Sequence, residues 1–129
     1  MLDHVGFAVA DFGRSRAFYD AALAPLGIGR VMEVSAAETG HGDHAGYGTA
    51  GKPVFWIGSG GGPAGVAFHI AFAAPDRAAV QRFHAAALAA GGRDNGAPGL
   101  RPHYHPSYYA AFVLDPDGHN IEAVCHAPV

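Results

Sequence analysis

Displacing the sequence by 65 residues lays residues 4–27 over residues 69–92. Ten of the 24 superposed positions are identical: His4/His69, Phe7/Phe72, Ala8/Ala73, Asp11/Asp76, Phe18/Phe83, Ala21/Ala86, Ala22/Ala87, Leu23/Leu88, Ala24/Ala89 and Gly27/Gly92. Some alanine matches are expected in a chain this rich in alanine; the His, Phe, Asp and Gly matches are not. A duplication limits the possible folds sharply, because what one copy builds the other must build as well. We read two modules, residues 1–65 and 66–129, within a single domain over 1–129, a length suited to one compact unit.

Each module opens on a strand. In DHVGFAV the residues alternate, so His4, Gly6 and Ala8 share one face and Val5, Phe7 and Val9 the other. His69 has the same parity in AFHIAFA. Asp11 and Asp76 are N-caps in waiting, since a carboxylate accepts the orphan N–H groups of a first helical turn. Helices are predicted near 13–26 and 76–91. Phe18, Ala21, Ala22 and Pro25 form the inward stripe of the first; Val80, Phe83, Ala87 and Ala90 form that of the second. Gly27 and Gly91 suit the C-terminal stops. Pro25 lacks an N–H, so the first helix should become irregular or end there. Three further strands are predicted per module, near 30–36, 45–50 and 53–58, then near 93–97, 108–115 and 119–125. The glycine-rich stretch 58–65 joins the modules as a flexible connection. It lacks the strand–helix context and the lysine of a phosphate-binding loop.

The chemistry gathers near the end of the second copy, in FVLDPDGHNIEAVCH. DPDG is a tight turn. After it, Glu122 stands between Ile121 and Ala123 in a strand, where a carboxylate is costly unless paired or bound to a cation. His4, His69 and Glu122, each inside an apolar strand, match a two-histidine, one-carboxylate site. Such a site leaves open positions on Fe, Mn, Zn, Ni or Co.

The duplicated βαβββ module, the first-strand histidines and the D-P-x-G-x-x-x-E ending resemble the vicinal oxygen chelate superfamily. That group includes glyoxalase I, the extradiol dioxygenases, and the fosfomycin- and bleomycin-resistance proteins. The resemblance spans essentially the whole chain. It implies an α+β fold in which two tandem βαβββ modules form an open, cup-shaped mixed β-sheet. It also implies one divalent metal in the cup, with His4, His69 and Glu122 as ligands. The repeat offset puts the fourth family position at Ile57, where glyoxalase I generally has a carboxylate. Isoleucine cannot ligate, so a four-ligand glyoxalase I is disfavoured. The extradiol pattern is only partly met: Phe112 stands where a tyrosine is typical, and His105 falls in the window expected for an upstream histidine.

RPHYHPSYY, residues 101–109, would then lie near the mouth of the cup. His105, His103 and Tyr109 are the candidates for proton transfer. Arg101, Tyr104, Tyr108 and Trp56 are the candidates for substrate binding. The function expected is a metal-dependent lyase, isomerase or dioxygenase acting on a small molecule with adjacent oxygens. The alternative is a metal-free binding or resistance protein of the same fold. Family members often dimerise, so a homodimer is expected. His41, His44, His84, His119 and His126 have no support from the pattern and are expected in surface or loop positions.

Composition sets outer bounds. A net charge near −3 with eight Lys+Arg argues against nucleic acid as a partner. No apolar run approaches a membrane span. The opening residues carry no basic region or signal core, so a cytoplasmic protein is expected. A lone Cys125 excludes an intrachain disulfide and a cysteine zinc cluster.

Overall fold

The computed structural model describes residues 3–40, 42–59 and 68–128. His41 and most of the glycine-rich connection lie outside them. In the first module, β1 (Val5–Ala8) feeds α1 (Phe12–Leu23), and β2 (Gly29–Val34), β3 (His44–Thr49) and β4 (Lys52–Gly58) follow. In the second, β5 (His69–Ala73) feeds α3 (Arg77–Ala89), and β6 (Arg93–Leu100), β7 (Tyr109–Leu114) and β8 (Asn120–Cys125) follow. The caps are those the sequence announces. Asp11 Oδ1 accepts the Arg14 N–H at 3.0 Å, and Asp76 Oδ1 accepts the Ala79 N–H at 2.7 Å. Pro25 does end the regular helix: Ala24–Leu26 is a 3₁₀ turn, closed by Gly27 at φ +77°.

Each module makes one four-stranded mixed sheet, in the orders β1-β4-β3-β2 and β5-β8-β7-β6. The first and last strands of a module run parallel and the other pairs are antiparallel. Neither sheet closes, and the architecture is α+β. One face of each sheet enters a single shared core: Phe7, Tyr47, Phe55 and Ile57 from one side, and Phe72, Val113, Ile121 and Cys125 from the other. Phe18, Tyr19 and Leu23 of α1 and Val80, Phe83 and Ala87 of α3 fill the space between them and are fully buried. By alternation, the opposite, open faces carry Gly6, Gly46, Trp56 and Gly58 on the first sheet and His69, Phe112 and Glu122 on the second. Among the described residues, no helix is long and apolar enough to cross a membrane.

Several expectations need correction. β2 ends at Val34, and a short helix that the sequence did not signal, α2 (Ala36–Thr39), follows it. β6 runs to Leu100, longer than expected, with register shifts around Gly96. As an edge strand it tolerates Pro98, which has no N–H to give a ladder. The counterpart of Glu122 is Trp56, not Ile57. Gly6 pairs with Trp56 just as its repeat-mate Ala71 pairs with Glu122. The last strands are thus offset by 66 residues, and Ile57 faces the core.

His119 is buried rather than at the surface. Its Nδ1 accepts the Phe68 N–H at 3.0 Å, and its ring lies 4.3 Å from that of Phe7. The turn before it also does more than reverse the chain. Asp115 accepts the Tyr19 hydroxyl at 2.6 Å and the N–H groups of Asp117 and His119. Asp117 accepts the Ala10 N–H and the Ser15 hydroxyl, and the Pro116 carbonyl accepts from Arg14. The β7–β8 turn therefore fastens the second module to the start of α1.

Candidate metal and substrate pocket

The open face of the second sheet holds a cavity of about 400 Å³ lined by His69, Tyr104, Tyr108, Phe112, Asn120 and Glu122. Two neighbouring strands supply its polar centre. His69 opens β5 opposite Asn120, and Glu122 lies two residues further along β8 on the same face. Phe112 of β7 is directly opposite Glu122 and forms the floor. Glu122 is only 2% exposed, while the His69 side chain is half exposed. The chain has thus withdrawn a carboxylate from water and left its imidazole partner accessible.

The hydrogen bonds fix which atoms are free. His69 Nδ1 lies 3.1 Å from the Asn120 carbonyl oxygen, which can only accept, so Nδ1 carries the proton. In the neutral ring Nε2 is then a bare lone pair, and it lies 3.0 Å from Glu122 Oε1. Two lone pairs that close need a cation between or beside them, either a proton on the ring or a metal ion. Ligands about 2.1 Å from a common ion and at right angles to each other are about 3.0 Å apart, so the donor set fits a metal. The other carboxylate oxygen, Oε2, accepts the Tyr108 hydroxyl. Burial, and then this bond to Glu122, push the Tyr108 phenol up to about 12, so it stays a donor throughout the neutral range. An outer hydrogen bond of this kind orients a ligating carboxylate.

His4 lies elsewhere, exposed on the first module. Its Nδ1 is 2.8 Å from Asp3 Oδ2, which also takes Lys52 Nζ at 2.9 Å. Here too the oxygen acceptor fixes the proton on Nδ1 and leaves Nε2 available, as in His69. The structure does not bring His4 to the His69–Glu122 pair. Among the described residues, the group of three His, Cys, Asp or Glu donors lying within 4.8 Å of one another is Asp115, Asp117 and His119. Those atoms are close enough to hold an ion. In this fold, however, all four carboxylate oxygens and His119 Nδ1 already accept the hydrogen bonds that dock the turn.

The remaining candidates divide. Tyr104 and Tyr108 line the pocket, their rings 5.1 Å apart. Arg101 lies across the Phe112 ring, with its guanidinium donating to the Gly99 and Ala97 carbonyls. His103 and His105 sit on the exposed loop above. His105 Nδ1 accepts the Ser107 N–H, so its neutral ring carries the proton on Nε2. Tyr109 is not brought to the pocket: it sits on the core side, where its hydroxyl accepts from Gln81 and Arg77 covers its ring. Trp56 lies on the other module. Sequence reasoning passed over His44, which lines a second cavity beside Trp56. It has no repeat-mate histidine, so the pattern that found His4 and His69 could not signal it.

The pattern of the glyoxalase/bleomycin resistance protein/dioxygenase superfamily matches residues 1–123. A glyoxalase/bleomycin resistance protein from Albidiferax ferrireducens is 31% identical, with 99% of each chain covered and a TM-score of 0.76. A family enzyme from Burkholderia phytofirmans is 21% identical, with 97% of this chain and 98% of that one covered and a TM-score of 0.69. Glyoxalase I from Zea mays is 22% identical over 95% of this chain and 43% of its own, with a TM-score of 0.70. No curated protein matches this sequence.

Proposed function

This chain belongs to the glyoxalase/bleomycin resistance protein/dioxygenase superfamily, and we propose that it is a divalent-metal-dependent enzyme acting on a small substrate with two adjacent oxygens. The observation behind this reading is the His69–Glu122 pair, a lone pair with its tautomer set by Asn120 facing a buried carboxylate across 3.0 Å. His69, Glu122 and His4 would hold the ion, whether Fe, Mn, Zn, Ni or Co, because each offers a free donor of the right kind. When bound, such an ion acts as a Lewis acid toward an enolate or oxyanion of lyase, isomerase or dioxygenase chemistry.

His4 reaches the site, in this proposal, from a second copy. The first module of one chain would face the second module of another in a homodimer. Two features support that. β1 and β5 are both edge strands, which soluble proteins generally pair or cover. Val5 beside β4, Val54 and Phe68 are exposed apolar residues near those edges.

The chain's own groups have separate duties. Tyr108 holds Glu122 by donating to Oε2, and Asn120 holds the His69 ring. Phe112 and Tyr104 wall the pocket and exclude water from one side of a bound substrate. His105, and His103 beside it, would exchange protons with substrate from the loop through a ring nitrogen.

Metal analysis of protein purified without chelator tests the reading. We expect close to one ion per chain in wild type and loss of it in His4→Ala, His69→Ala and Glu122→Ala. Absence of metal from wild type grown in metal-replete medium would favour the second reading, a metal-free protein that traps a small molecule. There His69 would be doubly protonated, and the same 3.0 Å contact would be an ion pair with Glu122.

A further inference from the structure

The open face of the first sheet is built differently. His44 of β3 is paired with Gly58 of β4, and Gly46 of β3 with Trp56 of β4. Each ring lies on the glycine opposite it. A Cβ on Gly46 would come within 2.9 Å of Trp56 Cζ2 and Cη2, and one on Gly58 within 2.5 Å of His44 Cδ2. On the far side of Trp56, a Cβ on Gly6 would meet its Cβ at 2.9 Å. Glycine inside a strand loses conformational entropy and packs nothing itself. Three of them around two rings mark a place where ring atoms lie hard against backbone.

His44 and Trp56 border a cavity of about 220 Å³, which Ala8 and Ser59 help to line. The volume is below the roughly 300–1,000 Å³ of ordinary ligand pockets, so it suits one ring rather than a fused system. One polar atom is fixed there. His44 Nδ1 lies 3.1 Å from the Gly42 carbonyl oxygen, so Nδ1 carries the proton. Nε2 is left as an acceptor with no hydrogen-bond partner among the described residues.

We propose that this face is a subsite for a single flat ring bearing an O–H or N–H donor, phenol-like in chemistry. The ring stacks on Trp56 and its donor hydrogen-bonds to His44 Nε2. His44 and Trp56 are thereby specificity-determining residues for the aromatic part of a ligand. All the groups involved belong to the first module, so the subsite does not depend on a metal at Glu122.

Trp56 is the single tryptophan of the chain, so its emission reports this face alone. Phenol is the probe because it has one ring and one donor and no adjacent oxygens with which to chelate an ion. In the full-length protein, phenol should change Trp56 emission saturably. Anisole, a ring without the donor, should bind about tenfold more weakly, the value of one hydrogen bond. Cyclohexanol should have no effect. His44→Ala should reduce phenol to the affinity of anisole, and removing divalent metal with a chelator should leave the wild-type phenol titration unchanged. Equal responses to phenol and cyclohexanol, equal affinities for phenol and anisole in wild type, or an unaltered phenol titration in His44→Ala would each overturn the proposal. The wild-type comparison needs no variant to fold. Failure of metal binding, by contrast, would remove the proposed enzyme reading and leave this subsite standing.

Discussion

The two modules share a fold and have divided the chemistry. At equivalent points of their last strands one carries Trp56 and the other Glu122, each opposite the same position of a first strand, Gly6 or Ala71. Around Trp56 the neighbours are Gly6, Gly46 and Gly58; around Glu122 they are His69, Tyr108 and Phe112. The first face holds a small cavity bordered by two rings, and the second a polar pocket with a withdrawn carboxylate. Duplication preserved what folding needs, the capped helix, the core aromatics and the strand order. It left the open faces, which pack against nothing in their own module, free to diverge.

The largest effect that could break this contrast is in the second module. Glu122→Ala should abolish metal binding, read by titration with a divalent ion, while His44→Ala on the first module leaves it intact. The reverse result would invert the division. Next comes the joint between modules. Asp115→Ala leaves the buried Tyr19 hydroxyl and two backbone N–H groups without their acceptor. That should cost about 3 kcal/mol, or roughly 10 °C in Tm, in thermal unfolding. No such loss is expected from Asp43→Ala in the first module, whose bonds are local and largely exposed. Tyr108→Phe frees Glu122 Oε2 and should weaken metal affinity about 10–100-fold, the usual range for an orienting neighbour of a ligand. Smallest is Gly46→Ala. Its methyl would displace the Trp56 ring, costing about 1 kcal/mol in denaturant unfolding and shifting the emission of that residue.

Much of this was legible in the residues. Asp11, Asp76, Pro25 and Gly27 act locally, through caps and backbone dihedrals, so the sequence announces them directly. His69 and Glu122, which the structure brings together in one pocket, stood out because a charged or titratable group in an apolar strand has few explanations. Three things were hidden, each for a physical reason. The offset between last strands is 66 residues rather than 65, because the segments between helix and final strand differ in length by one. Register, which decides the face of every side chain, depends on pairing rather than on counting. His119 is a loop residue, as expected, but its burial was hidden because its partners, Phe68 and Phe7, are distant in sequence. His44 was invisible because its meaning comes from Gly58 and Trp56 across the sheet.

The central claim is that the first module of one chain serves the second module of another. Co-expression of differently tagged His4→Ala and Glu122→Ala chains, followed by isolation of the mixed dimer, tests it most directly. In that dimer the His4→Ala chain contributes an intact His69 and Glu122, and the Glu122→Ala chain an intact His4. The account predicts one complete site and one ion per mixed dimer, with none in either variant alone. A mixed dimer that binds no metal, beside a wild type that binds one ion per chain, would contradict it.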